Sequence, residues 1–352
     1  MKAFFTLLIL PLFLNLALSQ ASSTTMTAHF IDINQADATL LEFECAAVLI
    51  DAGAQGSNTN ESRQKLMDYL DDFFQRRSDL NDTIEVIIIT HNHSDHIKSL
   101  DVIREKYHIK NIVSSRHNLK TKDMVYKTKL EEEGIKYDWV EYTDVLAYYP
   151  LGYYNNIVDP VKCGNADPWI TLFSGGLEDN PGWSKSNFKN PNNHSLVVRV
   201  KFGQSSFIFT GDLEKEGIEL LLHNYKNDLD LFDVDVYQVG HHGSKNATTA
   251  ELLDAISPDI AVISASNSSI HKGKTGFAYG HPNKGVVDSL SVHISGDRLP
   301  INGDVFETAW HGFPKKNDSM QSIAIDKKIY CTCWDGTVKI TAHLDGTLEV
   351  IE

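Results

Sequence analysis

Short apolar runs alternate along the chain with segments in which apolar residues recur every three or four positions. The run IEVIIIT at 84–90 is typical of a strand buried on both faces, because almost every position is apolar and β-branched. The helical spacing at 61–77 places Leu66, Tyr69, Leu70, Phe73 and Phe74 on one side of a helix. Strands are predicted at 29–33, 39–43, 46–51, 84–90, 110–115, 195–202, 205–211, 233–240 and 259–266. Helices are predicted at 61–77, 97–107, 121–134, 213–225, 247–256 and 282–291, and hairpins at 321–351. Apolar strands with helices between them predict sheets packed inside outer helices.

Residues 141–193 interrupt this alternation. The segment is rich in Pro, Gly and Asn, and seven Tyr and Trp residues are scattered through it. A loop of this length is either a functional lid or binding loop, or a surface excursion that aromatic side chains anchor. We therefore predict a single domain over 21–352 with an aromatic-rich insertion at about 141–193.

The first 20 residues have the pattern of a cleaved secretory signal peptide. Lys2 precedes an apolar run to about Leu18, and Ala17 and Ser19 form a small-residue cleavage site. The alternative is an uncleaved membrane anchor, but Pro11 and Asn15 interrupt the run. We expect a secreted or extracytoplasmic protein whose mature chain spans no membrane.

Composition narrows the function. The 352 residues are 42% hydrophobic and 22% charged, which is an ordinary globular composition. The formal charge of −15 argues against a nucleic-acid scaffold, because phosphate contacts need clustered Lys and Arg. Four cysteines are too few to build a fold on disulfides. Cys331 and Cys333 are separated by one residue, a spacing that rarely forms a bridge, and the pairing of Cys45 and Cys163 stays open.

Candidate chemistry is concentrated where predicted strands end. The strand at 84–90 runs into His91-Asn92-His93-Ser94-Asp95-His96, which offers four metal ligands in six residues. Asp212 follows the strand at 205–211, and His241 and His242 follow the strand at 233–240. Imidazole and carboxylate ligands suit zinc and also tolerate manganese or iron, and we expect zinc, with manganese as the alternative.

These residues resemble the signature of the metallo-β-lactamase superfamily. THNHSDH matches H-x-H-x-D-H, and T-G-D ending in Asp212 follows it. The chain is more narrowly similar to the hydrolase domain of the ComEC/Rec2 DNA-uptake proteins. The elements that carry this likeness are Asp32–Ala38, Ile50–Gly53, Asn192–Val197, His241–Ser244 and Tyr279–Pro282. The order of the elements is preserved over about residues 28–291.

The resemblance implies an αββα sandwich and a hydrolase with two divalent metal ions. His91 and His93 would hold the first ion, and Asp95 and His96 the second. Asp212 would bridge the ions and orient the attacking metal-bound hydroxide. His241 would complete the second site; His242 is the alternative, and His241 is favoured because it lies nearer the strand. His281 or His242 would stabilise the developing oxyanion or protonate the leaving group.

The chain also departs from the family pattern. Asn34 and Ala36 replace two glycines of the opening motif. The Gly-His-rich loop that supplies a third histidine to the first metal is absent, and His194 is the nearest candidate. His194 is predicted either as that ligand, as a substrate contact or as a loop residue.

The expected substrate is a small or polymeric ester. A phosphodiester is favoured, of nucleic acid or of the choline-phosphate type, and the 142–188 aromatics would cage a quaternary ammonium group in the second case. One alternative is a lactone, lactam or thioester hydrolase. A second alternative is a non-catalytic secreted binding protein on the same fold. The sequence does not indicate the oligomeric state.

Overall fold

Two β-sheets pack face to face in the computed structural model, with helices on their outer sides. The structure describes residues 24–54, 59–117, 129–266, 279–307 and 320–351. One sheet has eight strands in the order β18-β17-β1-β2-β3-β5-β7-β8, and the other has six in the order β16-β13-β12-β11-β10-β9. The αββα sandwich implied by the resemblance is confirmed.

The element bounds are as follows. The eight-stranded sheet contains β1 Thr25–Phe30, β2 Thr39–Glu42, β3 Ala47–Ile50, β5 Val86–Ile89, β7 Asn111–Ser115, β8 Lys136–Val140, β17 Val338–His343 and β18 Leu348–Ile351. The six-stranded sheet contains β9 Trp169–Leu172, β10 Val198–Phe202, β11 Ser205–Phe209, β12 Val236–Gln238, β13 Ile260–Ile263 and β16 Ile329–Cys331. Two small pairs join β4 Thr83–Ile84 to β6 His108–Ile109 and β14 Asp297–Phe306 to β15 Met320–Lys327. The helices are α1 Thr59–Arg76, α2 Ser94–Ile97, α3 Leu100–Lys106, α4 Tyr142–Ala147, α5 Lys185–Lys189, α6 Lys215–Asn224, α7 Ala250–Ile256, α8 Lys284–His293 and α9 Thr332–Asp335.

The hydrophobic core forms three layers that follow from the apolar pattern. In β5, Val86 and Ile88 face the layer between the sheets, whereas Ile87 and Ile89 face the helices α1 and α3. The third layer lies between the six-stranded sheet and the helices α6, α7 and α8. Both faces of β5 are thus buried, which is why its sequence is apolar throughout rather than alternating.

Parallel strands bring the polar strand ends together. The strands β3, β5, β7 and β8 run parallel, as do β11, β12, β13 and β16. The carboxyl ends of neighbouring parallel strands meet at one edge of a sheet. The segments that follow β3, β5, β11, β12 and β13 therefore converge on one region between the two sheets.

Several predictions differ in detail from the structure. The helix predicted at 97–107 is divided into α2 and α3, because the turn before it already begins at Ser94. The irregular segment 141–193 contributes β9 as the edge strand of the six-stranded sheet, together with α4 and α5. The strand β14 was not predicted, because Pro300 and Gly303 interrupt its apolar pattern. The predicted signal peptide lies outside the described residues, as does most of the predicted helix 121–134.

Two disulfides cross-link the chain. Cys45 pairs with Cys163, and so joins the turn after β2 to the 141–193 insertion. Cys331 pairs with Cys333, in contrast to the expectation from their spacing, because the chain turns from β16 into α9 and brings the two Cα atoms within 5.0 Å. Within the described ranges, no helix combines the length and the apolar character needed to cross a bilayer.

Candidate metal centre

The histidine-rich segment 91–96 leaves β5 and turns at once into the short helix α2. His93 is extended at the start of that helix, and the rings of His91 and His96 are buried. The turn brings His91 Nε2 within 3.1 Å of His93 Nδ1. A strand followed by a tight turn thus places three imidazoles side by side.

Asp51, at the end of β3, fixes the ring of His96. Its Oδ1 accepts from the Thr90 backbone N–H at 2.7 Å, and its Oδ2 accepts from the Thr90 hydroxyl at 2.8 Å. The same Oδ2 lies 2.7 Å from His96 Nδ1. This carboxylate keeps the Nδ1 proton in place, and the lone pair of His96 Nε2 is directed to the other side of the ring.

Asp212 lies on that other side and has histidines at both of its oxygens. Its Oδ1 is 3.0 Å from His96 Nε2. Its Oδ2 is 3.7 Å from His91 Nε2 and 3.6 Å from His241 Nε2. One buried carboxylate therefore spans two separate groups of imidazole nitrogens.

His241 and His242 diverge because both adopt a left-handed backbone conformation, with φ values of 50° and 55°. The Nδ1 of His242 donates to the Ser264 carbonyl at 2.8 Å, and its Nε2 lies 3.4 Å from Asp95 Oδ2. His242 thus joins His96 and Asp212 in one buried group, although His241 was the residue favoured for this position. His241 lies instead on the other side of Asp212, with its Nε2 3.6 Å from Asp212 Oδ2, because the two left-handed residues turn the rings apart.

His194 lies in a different environment from the one expected of a ligand. Its Nδ1 accepts from the Leu177 backbone N–H at 3.1 Å, and its Nε2 lies 2.7 Å from the Phe188 carbonyl. Its ring stacks on His117 with centroids 3.2 Å apart. Since both nitrogens are hydrogen-bonded to residues of the 141–193 insertion, His194 anchors that segment, and the structure does not bring it to the histidines that surround Asp212.

Two groups of side chains have the spacing of metal sites. His91, His93 and Asp212 form one group, and His96, His242, Asp212 and Asp37 form the other; within each, the candidate ligand atoms lie within 4.8 Å of one another. His96 Nε2, His242 Nε2 and Asp212 Oδ1 are buried and have no hydrogen bond of acceptable geometry. Buried polar atoms of this kind are costly unless something satisfies them. Three atoms that converge in this way, two of them imidazole nitrogens, fit a divalent cation that takes the place of the ring protons.

The electrostatics of the site also favour a cation. Burial opposes protonation of His96, but Asp212 and Asp51 outweigh it and hold the pKa of His96 well above its usual value. Burial is likewise overcome at His242, where Asp212 and Asp37 raise the pKa to about 9. Burial works against ionisation of Asp212, yet His96, His241 and His242 keep its pKa well below the ordinary value. By contrast, burial lowers the pKa of His91 and His93, so these rings are neutral and can offer lone pairs.

A cavity of about 260 Å³ opens beside these groups. Its walls include Gln35, His93, Asp95, Asp212, His242 and His281, and Tyr279 also lines it. The His281 ring lies between Tyr279 and His242, with centroid distances of 5.9 and 6.2 Å. Burial and the neighbouring His241 and His242 hold the pKa of His281 well below its usual value.

The exposed tyrosines of the insertion belong to another part of the surface. Tyr148, Tyr149 and Tyr154 are about 40% exposed, and the ring contacts of Tyr148 are with Tyr153 and Tyr154. The described lining of the cavity contains none of these residues. An aromatic cage formed by the insertion around a bound substrate group is therefore not what the structure presents.

Sequence reasoning missed several residues behind the ligands. Asp37 Oδ1 accepts from the Gln238 side chain at 2.8 Å, and its Oδ2 lies 3.7 Å from His242 Nδ1 and 3.9 Å from His96 Nδ1. Asp37 thus faces the Nδ1 edges of His242 and His96, which already donate to the Ser264 carbonyl and to Asp51. Its place in the Asp32–Ala38 motif was the available signal, whereas nothing in the local sequence marks Gln238 or Ser264.

The fold and this site define a member of the metallo-β-lactamase superfamily. Residues 31–266 match the family model described as the metallo-beta-lactamase superfamily, so the chain belongs to it. The expected similarity to ComEC/Rec2-type proteins is also confirmed. The chain is 28% identical over 211 residues to ComE operon protein 3 of Bacillus subtilis, which covers 60% of this chain and 22% of that protein. It is 26% identical over 259 residues to Recombination protein 2 of Haemophilus influenzae, which covers 73% of this chain and 26% of that protein.

The chain matches about a quarter of the length of these relatives. Among solved structures, it is similar to the metallo-beta-lactamase fold protein YhfI from Bacillus subtilis, with 12% identity and a TM-score of 0.37 over 68% of this chain and 85% of that one. It is also similar to CmlA, a diiron β-hydroxylase from Streptomyces venezuelae, with 14% identity and a TM-score of 0.39 over 68% of this chain and 44% of that one.

Proposed function

We propose that this protein is a secreted phosphodiesterase that depends on two divalent metal ions. The observation that carries the proposal is the position of Asp212, whose two oxygens face two separate histidine groups. A single-metal site needs no such carboxylate. Zinc is the favoured metal for this ligand set, and manganese is the alternative.

The two sites would divide the ligands as follows. His91, His93 and Asp212 Oδ2 would hold the first ion, and His241 Nε2, which lies 3.6 Å from the same oxygen, takes the place for which His194 was considered. His96, His242 and Asp212 Oδ1 would hold the second ion. Asp95, whose Oδ2 lies 3.4 Å from His242 Nε2, would be its second carboxylate ligand, because Asp37 faces the Nδ1 edges of the two rings instead. When bound, such a pair of ions clamps the attacking and leaving oxygens of an ester and lowers the pKa of water.

The protein's own residues prepare these ligands and the substrate pocket. Asp51 and the Ser264 carbonyl each accept the Nδ1 proton of a ligand histidine, so the Nε2 atoms of both rings would be the ones that bind the ions. Asp212 would set the spacing of the two sites and would orient the nucleophile. His242 uses its proton on Ser264, which leaves His281 as the cavity histidine that can donate to the reacting oxygens.

The choice of a phosphodiester rests on the relatives. One of the two relatives is named for recombination, and the motifs of this chain resemble the hydrolase domain of DNA-uptake proteins. The described lining of the cavity contains no Lys or Arg, so the ions would supply the positive charge that holds a phosphate. The net charge of −15 and the small cavity favour a short phosphodiester over a long duplex.

Secretion is proposed from two independent features. The first 20 residues have the pattern of a signal peptide. The four cysteines are paired in two disulfides, and such bonds persist in oxidising compartments. Sequencing the N-terminus of the protein recovered from a secreting host tests this; a chain retained in the cell with residues 1–20 intact would overturn it.

The experiment that tests the activity is hydrolysis of bis(p-nitrophenyl) phosphate by the zinc- or manganese-loaded protein. We expect Asp212→Ala to lower kcat/KM by at least about 10³-fold, because several kcal/mol of transition-state stabilisation depend on the two metal ions. The bound metal should fall from two ions per chain to one or none. Asp72→Ala, a change of the same type on the exposed side of α1, should leave both values unchanged.

Other outcomes separate the alternatives. A protein that holds two ions but does not cleave phosphodiesters, and that does open lactones, lactams or thioesters, would replace the proposed substrate class. A protein that holds no metal would support a binding role on this fold. Turnover of a choline-phosphate ester but not of a nucleotide ester would decide between the two phosphodiester types.

A further inference from the structure

The segment Ser264–Ser266, at the end of β13, contacts one cavity histidine directly and is linked to a second one through the Gln35 side chain. The Ser264 carbonyl accepts from His242 Nδ1 at 2.8 Å. The Ser266 backbone N–H donates to Gln35 Oε1 at 3.1 Å, and Gln35 Nε2 lies 3.3 Å from His281 Nδ1. His242 thus donates to a backbone carbonyl of this segment, whereas His281 is linked to a backbone N–H of the segment through the Gln35 side chain.

These contacts determine where the His281 proton lies. A backbone N–H can only donate, so the Gln35 atom that faces Ser266 must be the amide oxygen. The Gln35 atom that faces His281 is then the NH₂ group, which can only donate, and His281 Nδ1 must accept. A neutral imidazole that accepts at Nδ1 carries its proton at Nε2.

We infer that Gln35 is a positioning residue that holds His281 in the Nε2–H tautomer, so that this ring presents a hydrogen-bond donor to the cavity. Gln35 is 2% exposed, and its side chain is confined between Ser266 and His281. The His242 ring, fixed by the same segment of chain, donates from Nδ1 instead, so its Nε2 is the atom that would bind a metal ion. The hydrogen bonds at the end of β13 therefore orient His242 to bind the metal and His281 to donate to the substrate.

The function of this donor rests on the proposed hydrolysis. When the ester bond breaks, negative charge develops on the leaving oxygen and on the oxygens bound to phosphorus. A donor fixed in advance stabilises this charge without reorganisation, an effect commonly worth about 10²–10³-fold in kcat. No proton needs to leave His281, so the ring stays neutral throughout the step.

Spectroscopy tests the tautomer directly and independently of activity. Zinc-loaded protein labelled with ¹⁵N-histidine is measured at about pH 8, where an ordinary histidine is neutral. His281→Gln identifies the His281 signals by their loss. We expect an unprotonated Nδ1 and a protonated Nε2 in the wild type. A wild-type spectrum with the proton on Nδ1 would overturn the inference.

Two substitutions of Gln35 test the coupling. In Gln35→Glu both terminal atoms are acceptors, so His281 must protonate Nδ1 and turn an acceptor to the cavity. We expect kcat for an alkyl phosphodiester to fall by about 10²-fold with little change in KM, and less for a p-nitrophenyl ester, whose leaving oxygen carries less charge. Gln35→Met keeps the shape of the side chain and removes the hydrogen bond that selects the His281 tautomer. The kcat of this variant should lie between the values of wild type and Gln35→Glu. Gln204→Glu makes the same charge change on the exposed β10–β11 turn and should have no effect.

A double-mutant cycle separates positioning from general damage. In a His281→Ala background, Gln35→Glu should cause no further loss, because the group through which it acts is gone. An equal loss in both backgrounds would show that Gln35 acts by another route and would overturn the inference. The expected tautomer in a protein that cleaves no phosphodiester would leave the positioning role intact and refute the proposed function instead.

Discussion

At the scale of single residues, the site depends on which atom of each side chain is already engaged. The Asp51 carboxylate accepts the Nδ1 proton of His96, and the Ser264 carbonyl accepts that of His242. The Nε2 atoms of both rings are left without a hydrogen bond. His194 has the same side chain, but both its nitrogens are engaged elsewhere. The sequence identifies the histidines, whereas their partners decide which of them can bind a metal.

The clearest prediction of pH dependence concerns Asp159, in the insertion. Its Oδ1 is buried and has no hydrogen bond, and burial raises the carboxyl pKa from 3.8 to about 6 despite Lys162 nearby. Because the folded-state pKa is the higher one, ionisation destabilises the fold: the cost is absent below about pH 4 and complete above about pH 6. Asp159→Asn should therefore raise the free energy of unfolding by about 1–2 kcal/mol at neutral pH, after allowance for partial exposure.

Urea unfolding of wild type and Asp159→Asn from about pH 4 to pH 8 measures this difference. The gain should shrink as the pH falls through about 6 and vanish near 4. A gain that is constant over this range would show that the amide stabilises the fold by some means other than removal of the buried charge.

At the scale of elements, the site is assembled where the turns after β5 and β11 touch. Gly211 has a φ of 51°, and a Cβ atom there would lie 2.6 Å from the Thr90 hydroxyl oxygen. That hydroxyl holds Asp51, and Asp51 holds His96. The approach of these two turns therefore sets the distance between Asp212 and the histidines of segment 91–96.

We expect Gly211→Ala to disrupt this contact. The left-handed backbone costs about 1 kcal/mol for a residue with a Cβ, and displacement of a tightly packed group costs about 1–3 kcal/mol more. Gly134→Ala is the matched control, because its φ is 81° but nothing lies within 4 Å of the added Cβ. In urea unfolding, Gly211→Ala should lose more stability than Gly134→Ala. Metal analysis should show a loss of bound metal for Gly211→Ala and none for Gly134→Ala. Equal effects of the two changes would indicate that only backbone strain matters.

At the scale of the whole molecule, the Cys45–Cys163 bond holds the insertion against the eight-stranded sheet. It links residues 118 positions apart, so its loss frees a long loop in the unfolded chain. The double change Cys45→Ser with Cys163→Ser should lower the unfolding free energy by about 2–5 kcal/mol. The Cys331–Cys333 bond links residues only two positions apart. Replacement of both of these cysteines by serine should therefore lower the unfolding free energy by less. Calorimetry of both variants tests this, and a larger effect at Cys331 and Cys333 would contradict it.

Much of this architecture was evident from the sequence by itself. Apolar runs such as 84–90 predict strands buried on both faces, and polar residues at their ends predict where a site forms, because both follow from local periodicity. The segment 91–96 and Asp212 could likewise be predicted as candidate ligands, since their chemistry is a property of the side chains. The insertion was recognised as irregular, but its strand β9 was not, because an edge strand flanked by Pro and Asn has little periodicity.

Only the tertiary structure decided which groups act together. The choice between His241 and His242 depends on two left-handed residues and on the Ser264 carbonyl, which lies 22 positions along the chain. The position of His194 against the insertion depends on its hydrogen bonds with Leu177 and Phe188, and the link from Gln35 to His281 spans 246 positions. Local sequence determines what each residue can do, because propensity and chemistry are local. The hydrogen-bond partners that select one nitrogen over another come from distant segments, and only the packing of the two sheets brings them together.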